Sequence, residues 1–397
     1  MAFKLEKTQE ITFDCIDGMM TYLEEEKKNT LRINIGDLLG QVACFSDDRS
    51  FGKSEYSFKF NSPAMYDLCR ILNLYLPMLE QLEKPGLASD ILNDRINSKG
   101  LRDKLNKTQF VFDEPSKTVL GLVGVSYVGY SNQDFMDDVC FSLSGEKQKS
   151  WIPNFGEFDF STSYSINTHL SLRLKNESKK GIVKGKGGEA EDVSVLGLQI
   201  SNSMAGGKAL QMAYFVERMV CANGLILPVG GAQARLIHAG HRENFNKRLA
   251  EKMADVVGSL ETVKKTIELL GDIDFNPEKL AKQLDLKKLY SIIPGKDLEQ
   301  LGSDKLKNLT GDLKQFDKED REHQRNIQLI NEIPNLIGGN HSDRVFNSNY
   351  RDKATMFDFI NVFTEEAHKY EPSHRIQIEK STGEFADFVA KNKQSFA

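Results

Sequence analysis

The spacing of apolar and polar positions divides the chain into three stretches. In residues 1–104 short apolar runs alternate with polar ones. Asn61-Ser62-Pro63 precedes Met65, Leu68, Ile71, Leu72 and Leu74. That spacing predicts a helix with Ser62 as N-cap and Pro63 as its first residue, where proline's fixed φ already fits. A second short helix is predicted over residues 87–96, ending before Gly100. Residues 105–230 turn to β-branched and aromatic side chains. Strands are predicted over 109–112 and 119–128 with a turn between them at 113–116, and then over 158–165, 167–175, 193–201 and 210–215. In 167–175, Leu170, Leu172 and Leu174 alternate with Ser171, Arg173 and Lys175. One face of that strand is therefore expected to be buried and the other wet. A glycine-rich link, 179–188, follows. Strands in series with short polar links predict an antiparallel sheet.

From residue 231 the period lengthens to that of a helix. Leu249, Met253, Val256, Val257, Leu260, Val263, Ile267 and Leu270 predict one helix over 245–270, closed by Gly271. Residues 331–350 read as loop. Met356, Phe357, Phe359, Ile360 and Phe363 predict a last helix over 353–370. The fold class is α+β: an N-terminal α/β region over 1–104, a central sheet domain with a basic hairpin over 105–270, and a helical C-terminal region over 271–397.

Composition excludes several classes. The 397 residues are 40% apolar, too many for a disordered chain. The five cysteines, at 15, 44, 69, 140 and 221, are odd in number and widely spaced, which argues for free thiols rather than a disulfide framework or structural zinc. The first residues hold no apolar segment of the secretory kind, and the longest mostly apolar run, 119–130, is too short to cross a bilayer. The expected location is the cytoplasm, of a prokaryote or of an infected host cell, with no membrane contact.

Nucleotide and metal motifs fail on spacing. Gly181-Ile182-Val183-Lys184-Gly185-Lys186-Gly187-Gly188 has one residue too few between glycines for a phosphate loop, and Gly206-Gly207-Lys208-Ala209 lacks the closing Ser or Thr. Both read as flexible hairpin loops. His238 and His241 stand at i, i+3 on an expected helical face. Glu365 and His368 have Glu-x-x-His spacing, and Asp320 and His323 repeat it with Asp for Glu, yet no further carboxylates complete a dimetal set. No metal or cofactor is expected.

Charge changes the picture. The net charge of −5 divides into +6 for residues 166–250 and −11 for the rest. A local cationic surface is enough for phosphate, because charge is screened beyond about 10 Å. Arg173, Lys175, Lys179, Lys180, Lys184, Lys186 and Lys208 are the candidate nucleic-acid contacts, with Tyr164, Tyr214 and Phe215 as stacking faces. The competing reading is a solvated hairpin whose aromatics lie in the core.

Residues 120–127 with Asn132 and Phe135, Ile200-Ser201-Asn202-Ser203 with Gly206, residues 218–225, His238 and residues 359–365 follow an order and spacing that resemble the phage/plasmid-like protein family known as domain of unknown function 932. The resemblance runs over roughly 105–385. It departs at Ala222 and Val362, where the family more often has Thr and Ala. It implies a protein carried by phages or plasmids, without an assigned catalytic activity. It also implies a distant likeness to single-strand-annealing recombination proteins, which pair an antiparallel sheet with helices and run DNA along a basic groove.

Among the marked residues, Asn223-Gly224 reads as a tight turn. Arg218, His238, Asn361 and Glu365 are candidates for a polar cluster where helix meets sheet, either structural or catalytic, with His238 as acid or base and Arg218 as anion clamp. Three functions follow as expectations. The first is a homo-oligomeric, non-catalytic protein binding single-stranded DNA in replication or recombination. The second is a nucleotide- or nucleic-acid-processing enzyme built on the polar cluster. The third is an inhibitor of a host defence or replication protein, using the acidic remainder of the chain.

Overall fold

The structure, a computed structural model, describes residues 9–39, 44–45, 51–53, 56–82, 84, 86–145, 153–184, 191–206, 208–219, 224–228, 234–238, 241–283 and 353–396, with single residues and pairs between 323 and 346. The described elements begin β1 (Glu10–Phe13), α1 (Ile16–Asn29), β2 (Thr30–Asn34), α2 (Ile35–Leu39), β3 (Cys44–Phe45), β4 (Phe51–Lys53) and β5 (Tyr56–Phe60). Four helices follow, α3 (Ser62–Ile71), α4 (Leu76–Glu80), α5 (Leu87–Asn97) and α6 (Lys99–Leu105). Next are β6 (Thr108–Asp113), β7 (Thr118–Gly124), α7 (Asn132–Ser144), β8 (Asp159–Ile166), β9 (His169–Val183), β10 (Asp192–Ser203), β11 (Leu210–Arg218), β12 (Gly224–Leu227) and β13 (Ala234–Leu236). The chain continues with α8 (Arg242–Gly258), α9 (Leu260–Asp272), α10 (Pro277–Gln283), α11 (Met356–Ala367), α12 (Pro372–Lys391) and α13 (Lys393–Phe396).

The class is α+β, as expected, but the strands form two sheets. The larger runs β1-β8-β9-β10-β11-β12, with β13 also on β11, and its described pairs are antiparallel. The smaller runs β2-β6-β7-β5-β4-β3, and β5 joins β7 in parallel. Each sheet has its own core. Phe58, Phe60, Met65, Leu68, Phe110 and Phe112 lie in that of the small sheet. The boundary expected after residue 104 runs through the small sheet, because β6 and β7 pair with β2 and β5.

Several elements differ from expectation for local reasons. Asn61, not Ser62, caps α3: its side chain accepts the Ala64 N–H at 2.9 Å. An amide oxygen there satisfies a donor that the first turn cannot. The helix expected over 245–270 is two, α8 and α9, parted at Ser259, and Gly271 lies inside α9. The last expected helix, 353–370, is followed by α12 and α13. Gly100 lies within α6 rather than beyond a helix. Strand β7 stops at Gly124, and β9 continues to Val183, so the first half of the glycine-rich link is ladder.

The leucine alternation on β9 is present. Leu170, Leu172 and Leu174 join Leu196, Leu198, Ile200, Met212 and Val216 in the large core, against Phe135 and Val139 of α7, Phe245 and Met253 of α8, and Val263 and Ile267 of α9. The opposite face is not wet at Ser171 and Arg173, which are buried. Helix α12 lies over it, close enough to β12 that a Cβ on Gly383 would run into the Ile226 carbonyl. No described helix is long and apolar enough to cross a membrane.

Candidate functional site

Arg173 is fully buried, and all three of its nitrogens are engaged. Nε donates to Gln199 Oε1 at 2.8 Å, Nη1 to Tyr164 Oη at 3.3 Å and to Glu379 Oε1 at 3.4 Å, and Nη2 to Glu379 Oε2. The guanidinium lies 4.6 Å from the Tyr164 ring centroid and 4.7 Å from that of Phe215. Glu379, on α12, also accepts Arg375 Nε at 3.0 Å. Arg173 is thus a bolt between sheet and helix and cannot reach phosphate in this arrangement. Tyr164, Tyr214 and Phe215, expected as stacking faces, are buried core. The sequence signal for Glu379 was its place beside the apolar stripe Ile378, Phe385, Ala386 and Val389 of α12.

Lys175 is held by Glu177 at 3.2 Å and Glu217 at 3.6 Å. Arg218 is paired with Asp192 at the hairpin end of the sheet, where Asp192 faces Val183 and Arg218 faces Ser194. Beyond Lys175, β9 runs alongside the Arg218–Asp192 pair into the hairpin. Gly181 and Val183 turn inward, against Ile267 and Gly271 of α9. Lys179, Lys184 and Ile182 are exposed, and Lys180 is half-buried. Lys180, Ile182 and Lys184 alternate with the inward pair, so they share the outer face. Ile182 pairs with Val193, whose carbonyl accepts the Met219 N–H at 3.0 Å. Exposed Met219 therefore extends an apolar row next to the lysines. Among the described residues no ion pair holds Lys179, Lys180 or Lys184. Lys186 and Asn223 lie outside the described residues.

Lys208 stands at the other end of β9, beside His169. Ten residues at 3.3 Å each place it about 33 Å along the strand from Lys179. Burial and then the cationic Lys380 push its ammonium pKa down, and burial and then Lys208 hold His169 at about 3, which leaves that imidazole neutral. The seven expected contacts are therefore not one surface.

His238 and His241 do not share a helical face. His238 precedes α8, and His241 is its N-cap. His238 is buried among Tyr127, Tyr130 and Phe245. Tyr127 donates to the Ser203 carbonyl at 2.6 Å, so its oxygen accepts from His238 Nδ1. The Nδ1–H tautomer follows, with Nε2 a buried acceptor that has no partner among the described residues. Burial, and then Arg32, push this imidazole down to about 4. It is neutral at physiological pH.

On α11, Asn361 is buried and accepts the Thr364 hydroxyl at its carbonyl, at 3.3 Å, while Glu365 is half-buried. Among the described residues no group of three or more His, Cys, Asp or Glu is placed to hold a metal.

The motif residues Asn132 and Asn202 do meet. Asn202 Nδ2 donates to Asn132 Oδ1 at 2.8 Å, and Asn132 Nδ2 donates to Glu26 Oε2 at 2.8 Å and to the Thr168 carbonyl at 3.2 Å. Burial pushes the Glu26 carboxyl up to about 7 against the pull of its Asn132 and Tyr22 partners. Glu26 was not singled out in the sequence. Its signal was a carboxylate at i, i+4, i+7 with Met19 and Leu23, which are both buried on α1.

Residues 174–392 match a protein family described as "Domain of unknown function (DUF932)". No curated protein and no solved structure matches the chain. The family match takes in most of β9, all of β10 to β13, Arg218, His238, α11 and the Glu379 helix, more than half of the residues, and the chain belongs to the DUF932 family.

Proposed function

We propose that the protein binds nucleic acid through phosphate contacts from the β9–β10 hairpin, without catalysis. One observation carries this reading. Arg173, Lys175 and Arg218 are each tied to a carboxylate, whereas Lys179, Lys180 and Lys184, along the β9 arm of the hairpin, have none among the described residues. Unpaired lysines grouped on one strand end raise the local positive potential where a polyanion can approach. Stacking is not part of the mechanism, since the sheet aromatics are spent on Arg173 and the core. Ile182 and Met219 offer apolar contact to bases instead. Single-stranded DNA in replication or recombination is the ligand class that fits the family's expected setting. The enzyme reading is weaker, because His238 has little exposure to a substrate and Arg218 already holds Asp192.

Fluorescence anisotropy of a labelled single-stranded oligonucleotide over a salt series tests the proposal. Changing Lys179, Lys180 and Lys184 to Ala together is expected to lower the slope of log K against log salt by about 2, at about 0.7 per lost phosphate contact. Absence of binding at low salt, or an unchanged slope in the triple variant, overturns it.

A further inference from the structure

A cavity of about 570 Å³ opens between α9 and the end of α12, beside β12, the terminal strand of the large sheet. Its volume is that of a small-molecule site, and no residue of the β9–β10 hairpin lines it. The deep side is apolar. Tyr214 of β11, Leu227 of β12 and Val263 of α9 are buried there, and Leu269 and Ala390 flank them, half-buried. Covering such a surface with an apolar body releases the water against it, which is favourable.

The charged groups sit on the two helices. Asp387 is the one carboxylate of the described lining, and Lys391, one turn further along α12, holds it at 2.5 Å. Lys265 on α9 is exposed and has no ion pair among the described residues. The hydroxyls divide in the same way. Ser259 donates to the Asp255 carbonyl at 2.9 Å and Thr266 to the Thr262 carbonyl at 3.1 Å, so both protons are already used within the helices. The Thr262 hydroxyl makes no such bond among the described residues, and it stands three residues before Lys265 on one helix face. The cavity therefore offers one uncompensated positive charge and one hydroxyl donor at its mouth, above an apolar interior. A phosphate monoester would bring close to two negative charges to that single ammonium, whereas a carboxylate brings one.

We infer that this cavity binds a small amphipathic monocarboxylate, its head between Lys265 and Thr262 and its apolar body against Leu227 and Val263. Calorimetric titration of the full chain with decanoate, octanoate and decylammonium tests the inference. Saturable one-to-one binding of decanoate is expected. Octanoate is expected to bind about tenfold or more weakly, since each buried methylene contributes about fourfold. Decylammonium has the same body and the opposite charge, and is expected to bind more weakly than decanoate. Lys265→Met is expected to weaken decanoate by about two- to fivefold, the share of an exposed ion pair, and so to narrow that gap.

Ala390→Trp fills the cavity from α12 and is expected to abolish decanoate binding, with circular dichroism checking the fold. Should that variant not fold, Thr266→Trp fills it from α9 and carries the same test. No saturable binding of decanoate at millimolar concentration, binding retained in the tryptophan variant, or decylammonium binding as tightly as decanoate overturns the inference. The hairpin triple variant keeps every residue of this cavity and is expected to bind decanoate as the parent does.

Discussion

Replacing Glu379 by leucine removes the carboxylate that two guanidinium groups share. Arg173 would remain fully buried between the Tyr164 and Phe215 rings, with the Gln199 and Tyr164 oxygens as its remaining acceptors. An uncompensated charge in such a place costs about 3–5 kcal/mol. The reverse change, Arg173→Met, keeps the length of the stem, and Glu379 retains Arg375 at 3.0 Å. Its cost is expected to be lower, about 2–3 kcal/mol. The double variant Arg173→Met, Glu379→Leu leaves no fully buried charge, since Arg375, which loses its carboxylate, is partly exposed and keeps His368 Nε2 at 3.1 Å, and it is expected to lie within about 1–2 kcal/mol of the parent. Urea unfolding followed by circular dichroism gives the four free energies, and the cycle yields the coupling, provided the denaturant slope stays constant. A loss below about 1 kcal/mol for Glu379→Leu, or a larger loss for Arg173→Met than for Glu379→Leu, would refute the reasoning.

Gly383→Ala drives a methyl into the Ile226 carbonyl, so α12 must lift from β12. A loss of about 1–3 kcal/mol is expected in thermal or urea melts, whereas Gly100→Ala, which meets nothing within 4 Å, serves as a neutral to mildly stabilising control. Glu26 gives a pH dependence. Its carboxyl is raised from 4.5 to about 7 on folding, so the folded state holds the proton more tightly. Stability is then full below about pH 4.5 and declines as pH rises through 7, by about 3 kcal/mol at most. Tyr22 beside it is pushed up to about 12 and does not titrate in that window. Urea midpoints at pH 5 and pH 8 should converge in Glu26→Gln, and an unaltered pH dependence in that variant would rule the assignment out.

The apolar periodicities carried most of the fold. Leucines at every second position of β9 and the 3.6 period from Leu249 to Leu270 mark the buried faces correctly, because burial of apolar area is what aligns strand and helix. The polar residues of β9 were misread for a definite reason. A row such as Ser171 and Arg173 looks the same whether it faces water or a helix 200 residues later that brings a matching carboxylate. Nothing local distinguishes these cases, and Glu379 meets Arg173 only after α12 docks. The same limit hid Glu26, whose amide partner Asn132 comes from α7 and is itself held by Asn202 of β10. Tyr127, Asn132, Asn202 and His238 were legible as motif positions, yet the bonds joining Tyr127 to His238 and Asn132 to Asn202 span 111 and 70 residues. The hairpin lysines were read directly, since exposed charge at a strand end needs no distant partner.

The pairing of β1 with β8 has a consequence for synthesis. Glu10 to Phe13 find their partners at Ser163 to Ile166, and the whole small sheet is encoded between them. At roughly 5–20 residues per second a ribosome needs about 8–30 seconds to deliver β8 after β1. During that interval β2, β6, β7 and β5 are already outside or emerging and can pair with one another. The small sheet therefore closes first, and β1 waits beside it as an unmatched edge whose backbone donors and acceptors invite mispairing. A chaperone that shields the first thirty or so residues of the nascent chain would act on this step.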